Sequence, residues 1–162
     1  MPAPNVEIER RFLPVALPAE LHRYPAVEIW QGYLSARGGP VTVRLRRYGA
    51  ETILTLKAGM RGLAQTEVEV PLAPDQFEAL WPHTRGQRVH KTRHRIPLAE
   101  GWTADVDVYH GALADHVVAE VEFDSEPQAR AFRPPDWLGP EVTTDVRYRA
   151  HALAVQGWPT EA

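Results

Sequence analysis

The tightest constraint on this chain is that its alternating stretches sort their charges by sign. On a strand, residues two apart point to the same face. In VEIERRFL (6–13), Glu7, Glu9 and Arg11 therefore share one face, and Val6, Ile8 and Arg10 share the other. By the same rule Arg44 and Arg46 stand opposite Val43 and Leu45, Lys57 opposite Leu54 and Leu56, and Glu67 and Glu69 opposite Val68 and Val70. Lys91, Arg93 and Arg95 share a face, Asp105 and Asp107 oppose Val106 and Val108, and Glu120 and Glu122 oppose Ala119, Val121 and Phe123.

A half-solvated antiparallel sheet also alternates, and for any single strand that explanation suffices. It does not explain the set. A generic wet face mixes Thr, Ser, Gln and both signs. Here the first, fifth, seventh and eighth stretches are acidic, and the third, fourth and sixth are basic. Like charges on neighbouring strands repel, so the pattern asks for a ligand that offsets the repulsion. Hard divalent cations take carboxylate oxygens, and polyphosphate takes Arg and Lys. Magnesium keeps several waters and uses one or two carboxylates together with substrate phosphates. A closed barrel with its charged faces inward supplies acids on one wall and bases on another, its apolar outer face covered by helices.

The rest of the chain fits this architecture. Strands are expected near 4–13, 26–36, 41–48, 51–58, 63–71, 85–96, 101–109 and 116–124, separated by turn-forming segments such as ARGGP (36–40), YGAE (48–51), AGMRG (58–62) and LAEGW (98–102). Most links are hairpin length, so consecutive strands are expected to be antiparallel neighbours. Helical patterns are fewer: a short turn at 17–24, then 73–82, 124–132 with Ser125 as a cap, and 144–158 with Thr144 as a cap. Tyr148, Ala152, Leu153 and Val155 are expected on the inner face of that last helix. Eight evenly spaced strands with short links favour a barrel or sandwich, and the sorted charge selects the barrel. The fold class is thus mostly β, in the α+β class, as a single domain over 1–162.

Composition excludes several classes. The chain has no cysteine, so thiolate chemistry and disulfides are out. No apolar run approaches the ~20 residues of a membrane helix, and no basic-then-apolar signal region opens the sequence, which fits a cytoplasmic protein. A net charge of −3 gives no global attraction to nucleic acid, despite the basic segments RRY (46–48) and KTRHR (91–95). His90 and His94 share a strand face without the further ligands a zinc site needs.

The residues in order resemble the CYTH superfamily, the triphosphate tunnel metalloenzymes. VEIERRFL resembles the family's opening Glu-x-Glu-x-Lys motif. QGYL (31–34), VTVRLRRY (41–48), LTLKAG (54–59), TEVEVPL (66–72), HKTRHRI (90–96), ADVDVYHGAL (104–113), VVAEVEFDSE (117–126) and PDWLGPEVTTDVRY (135–148) follow in family order over nearly the whole chain. The resemblance implies an eight-stranded antiparallel tunnel, with helices packed outside, that binds a small-molecule triphosphate with Mg²⁺ or Mn²⁺. It assigns Glu7, Glu9, Glu120 and Glu122 to metal, with Asp107 as a companion, and Arg11, Arg44, Arg46, Lys57, Lys91 and Arg93 to phosphate. Glu67, Glu69, Asp105 and Tyr148 take supporting places. Arg147, in the family's RY element, is expected to contact phosphate from a helix at one tunnel mouth.

There are two departures from the family pattern. Arg11 stands where the family usually has Lys; it keeps the charge but cannot act as a base. Asp105 stands where relatives often carry Glu, and reaches less far. Lys91, whose pKa can fall among neighbouring cations, then remains as the proton-transfer candidate beside Glu9 and Glu122. The implied reaction is hydrolysis of tripolyphosphate to pyrophosphate and phosphate. Nucleoside or thiamine triphosphate hydrolysis, class IV adenylate cyclisation and non-catalytic polyphosphate binding are the alternatives. Assembly as a homodimer is compatible with the sequence.

Overall fold

Eight strands close into one antiparallel barrel in the computed structural model, which describes residues 5–160. They are β1 (Val6–Phe12), β2 (Ala26–Tyr33), β3 (Val41–Tyr48), β4 (Glu51–Arg61), β5 (Ala64–Pro71), β6 (Arg88–Pro97), β7 (Thr103–Tyr109) and β8 (Val117–Glu122). The expected start of the first strand at residue 4 lies outside the described residues. Around the ring the order is β1-β5-β4-β3-β2-β6-β7-β8. Two runs, β2 to β5 and β6 to β8, follow chain order through hairpins. The expectation that consecutive strands are neighbours fails at two links. The segment between β1 and β2 carries Pro14, Pro18 and Pro25 and a 3-10 turn at Leu21–Arg23; the one between β5 and β6 carries α1 (Pro74–Leu80) and a 3-10 turn at Trp81–Thr84. Both are long enough to cross the barrel, so β1 pairs with β5 and β8, and β2 pairs with β6.

The segment AGMRG is not a simple turn. β4 runs through it to Arg61, with a register shift against β5 between Ala58 and Arg61, and the chain reverses after that. Such a bulge admits an unpaired residue and lets the strand continue past an irregularity. α2 (Glu126–Ala131) begins at the expected cap, with the Gln128 amide donating to Ser125 Oγ at 3.3 Å. The expected long helix over 144–158 splits instead. A 3-10 turn at Val146–Tyr148 is capped by Asp145, not Thr144, and α3 (Ala150–Gln156) starts after Arg149. Ala152 and Leu153 are buried as expected, but Val155 is exposed.

The apolar core lies outside the barrel rather than within it. Ile8 and Phe12 of β1, Ile96 of β6, Ala104 and Val106 of β7 and Ala119 and Val121 of β8 pack with Phe123, Ala129, Phe132 and Leu138 of the α2 region. Each large side chain buried there contributes about 1.5–3 kcal/mol. Arg10, the outward charge of β1, is drawn into this layer: it donates to the carbonyls of Ala129 (2.7 Å) and Phe132 (3.0 Å) and pairs with Glu141. Coverage is uneven, because Val41, Met60, Val68 and Val70 on β3–β5 remain exposed.

Gly139 fixes the path of the C-terminal segment. Its φ is +70°, and a Cβ there would collide with the Leu13 carbonyl. The chain can therefore lie against β1, with Leu13 N–H bonded to the Pro140 carbonyl and Val142 N–H to that of Arg11. Residues beyond it reach the end of the tunnel. Among the described residues no helix is long and apolar enough to cross a membrane.

Candidate active site

Ring order turns a charge pattern scattered along the sequence into two walls. The acidic strands β7, β8, β1 and β5 are contiguous, and the basic strands β4, β3 and β6 lie on the other side with β2 among them. The inward residues of both walls line a tunnel whose two cavities measure about 270 Å³ and 290 Å³. Glu7, Arg44, Arg46, Lys57, Arg93 and Glu120 line both.

The seams between the walls are ion-paired. Where β4 meets β5, Lys57 Nζ lies 3.3 Å from Glu67 and, across β5, 2.9 Å from Glu7 of β1. Where β6 meets β7, Arg93 and Lys91 share Asp107, at 2.8 Å and 2.7 Å. Burial raises the Asp107 carboxyl, but Arg93 and Lys91 outweigh it and hold the group below its ordinary value. Both Asp107 oxygens thus bond to cations of β6. Glu120 behaves alike: burial pushes it up, and Arg11 and Arg93 bring it well below the usual range.

The wall centres keep unbalanced charge. On the basic side, Arg44 and Arg46 have no carboxylate at ion-pair distance among the described residues. Arg44 donates to Thr55 Oγ1 at 3.3 Å, and its buried Nε finds no partner. The Arg46 pKa falls to about 10, first through burial and then through Arg44 and Arg93. On the acidic side, ligand oxygens of Glu7, Glu9 and Glu122 lie within 4.8 Å of one another. Burial, then Glu120 and Glu7, raises Glu9 well above its ordinary value, and burial with Glu7 and Glu120 lifts Glu122 to about 7. Glu7 and Glu9 each have one cation beside them, Lys57 and Arg11, and Glu122 has none among the described residues; this crowded, oxygen-only cluster fits a hard divalent cation.

Arg11 is consumed by this wall. It is buried, donates to Glu9 at 3.0 Å and to Glu120 at 3.4 Å, and its pKa is raised because those glutamates overcome the penalty of burial. It is a clasp within the acidic wall before it is a phosphate ligand. Lys91 is almost wholly enclosed, and burial with Arg93 and Arg46 beside it lowers its pKa to about 8 despite Asp107. Glu67, Glu69 and Asp105 line the second cavity, towards the acidic mouth, where Arg95 pairs with Asp105 at 3.2 Å.

The structure does not bring Arg147 to the tunnel. It is exposed, pairs with Asp145 at 2.7 Å, and lines neither cavity; Tyr148 packs on Trp158. Arg149, two residues on, lines the first cavity and has no ion pair among the described residues. Burial and the nearby Arg11 lower its pKa. The reading of 144–158 as one continuous helix hid it; the extended Arg149 backbone turns the chain before α3. Among the other lining residues that the charge pattern missed are Tyr33, Gln31 and His151. His151 stacks on Tyr33 with ring centroids 4.1 Å apart and bonds Gln87 at 2.8 Å, which docks the C-terminal segment over the tunnel end. Polar, uncharged inward positions gave no charge pattern to read.

No family model matches the chain. An inorganic triphosphatase of Nitrosomonas europaea is 46% identical over 150 residues, covering 92% of this chain and 97% of the relative. An inorganic triphosphatase of Acetivibrio thermocellus is 31% identical over 143 residues, covering 88% of each. A crystal structure of an inorganic triphosphatase superposes with a TM-score of 0.69 at 43% identity, over 93% of this chain and 95% of that one.

Proposed function

Because the chain belongs to the CYTH family of triphosphate tunnel barrels, among its inorganic triphosphatases, we propose that it hydrolyses inorganic tripolyphosphate to pyrophosphate and phosphate in its tunnel. The observation that carries this reading is the pair of unbalanced wall centres. Arg44 and Arg46 bind phosphate oxygens with the donors that no carboxylate occupies. Glu7, Glu9 and Glu122 would hold a divalent cation such as Mg²⁺ or Mn²⁺, which would supply charge neutralisation for the phosphates and acidify water. Lys91 Nζ, its pKa lowered to about 8 mainly by burial, can accept a proton once the pH rises to mildly basic values. Arg93 and Lys57, tied to Asp107 and Glu7, add donors at fixed positions along the substrate. Arg149 meets the end of the chain at the mouth lined by the C-terminal segment.

Purified protein incubated with tripolyphosphate and Mg²⁺ or Mn²⁺ is expected to release phosphate and pyrophosphate. Absence of release across both metals and a broad pH range would overturn the proposal. Cyclic nucleotide formation from ATP would redirect it to cyclisation.

A further inference from the structure

Strand β2 is the anomaly in the basic wall. It sits between β3 and β6, both rich in inward cations, yet presents Gln31 and Tyr33 to the tunnel and no charge. Gln31 is fully buried. Its Oε1 accepts from Arg46 Nε at 3.1 Å and from Arg46 Nη2 at 2.9 Å, and its Nε2 donates to the Tyr33 hydroxyl at 2.9 Å. The amide can take only this orientation, because a guanidinium offers donors and no acceptor. Cross-strand register places Gln31 directly opposite Arg46.

Apart from Arg44, which bonds only the Thr55 hydroxyl, the other buried cations of the tunnel are held by carboxylates: Arg11 by Glu9 and Glu120, Lys57 by Glu7 and Glu67, Lys91 and Arg93 by Asp107. Those pairs fix geometry by cancelling charge. Arg46 is fixed instead by a neutral amide that occupies two of its five N–H donors and leaves its charge uncancelled. Arg44 and Arg93, both cations, press on Arg46, so a guanidinium without a holder would swing away from them. We infer that Gln31 is a positioning residue: it aims the Arg46 guanidinium at the phosphate seat while preserving its full positive charge. A glutamate at this place would hold Arg46 equally well and remove the attraction for the anion. The Tyr33 hydroxyl accepts from the remaining amide N–H and so ties Gln31 to its own strand. The inference rests on the triphosphate reading of the tunnel.

Two near-isosteric variants separate orientation from charge. Gln31→Glu keeps both bonds to Arg46 and adds a negative charge; calorimetric binding of tripolyphosphate without metal is expected to weaken about tenfold or more, with KM rising in parallel. Gln31→Met keeps the charge of Arg46 but frees its side chain; kcat is expected to fall about tenfold with KM changed less than about threefold. Positioning through Arg46 also requires that Gln31→Met and Arg46→Lys be non-additive in kcat. Circular dichroism and thermal melts establish that each variant folds. If Gln31→Glu fails to fold, the Gln31→Met and Arg46→Lys cycle decides. Gln31→Glu binding within about twofold of the unaltered protein, or additive effects in the cycle, would overturn the inference. If the unaltered protein binds tripolyphosphate without hydrolysing it, the functional reading fails, while the binding arm still judges Gln31.

Discussion

The two walls of the tunnel crowd side chains of opposite sign and shift them in opposite directions. On the acidic wall, crowding pushes carboxyl groups upward: Glu9 lies well above its ordinary value and Glu122 near 7, because burial and neighbouring acids both penalise the charge. On the basic wall, crowding pushes cations downward: Arg46 to about 10 and Lys91 to about 8. Each wall is held in an expensive state, and the seams between them are neutralised by Lys57 with Glu7 and Glu67 and by Asp107 with Lys91 and Arg93. The difference teaches that pairing fixes where a tunnel residue sits, while the charge left over on each wall sets what that wall attracts. A cation with its own carboxylate is scaffold first; one without waits for an anion.

The comparison breaks most readily if the walls prove interchangeable. The largest effect is expected from Glu9→Ala, which should lower metal-supported kcat about 10³-fold while leaving metal-free tripolyphosphate binding intact or tighter. Weaker metal-free binding in that variant would contradict the division of labour. Arg46→Ala should do the converse, losing about 10²- to 10³-fold in kcat/KM and most metal-free binding, with Mn²⁺ binding to the free protein, followed by electron paramagnetic resonance, preserved.

Lys91 gives a smaller, pH-dependent test. Its neutral form grows as pH rises through about 8, so kcat/KM should climb with pH and level off there. Lys91→Arg, which stays protonated, should lose that ascending limb. The sign for stability follows from the same shift. The folded pKa is near 8 against an ordinary 10.5, so the unfolded chain binds more protons between those values, and this group makes stability rise with pH across that window. The smallest effects distinguish two arginines near the tunnel end. Arg149→Ala should raise KM about tenfold, whereas Arg147→Ala, whose partner is the exposed Asp145, should stay within about twofold. Equal effects would place the C-terminal segment differently from the arrangement described.

Much of this was legible in the sequence because strand alternation is local. Glu7 and Glu9 share a face whatever they pair with, and so do Arg44 and Arg46, since side-chain direction in a strand repeats every second residue. Arg149 was harder to find, because helical periodicity continued through a 3-10 turn and a break that side-chain pattern does not mark. Gln31 was harder still. It is uncharged, and its role exists only against Arg46 on the next strand.

The sequence alone determined the strands, their inward faces, the sign of each strand's charge and the family likeness, all properties of neighbouring residues along one segment. Only the tertiary structure decided which charges remain unbalanced. That depends on ring closure, which brings β5 and β8 to either side of β1 and sets β2 between β3 and β6. Electrostatic pairing acts over a few ångströms of space and takes no account of distance along the chain. So Asp107 pairs with Lys91 and Arg93 across the seam of β6 and β7, while Arg46 has no carboxylate at ion-pair distance among the described residues.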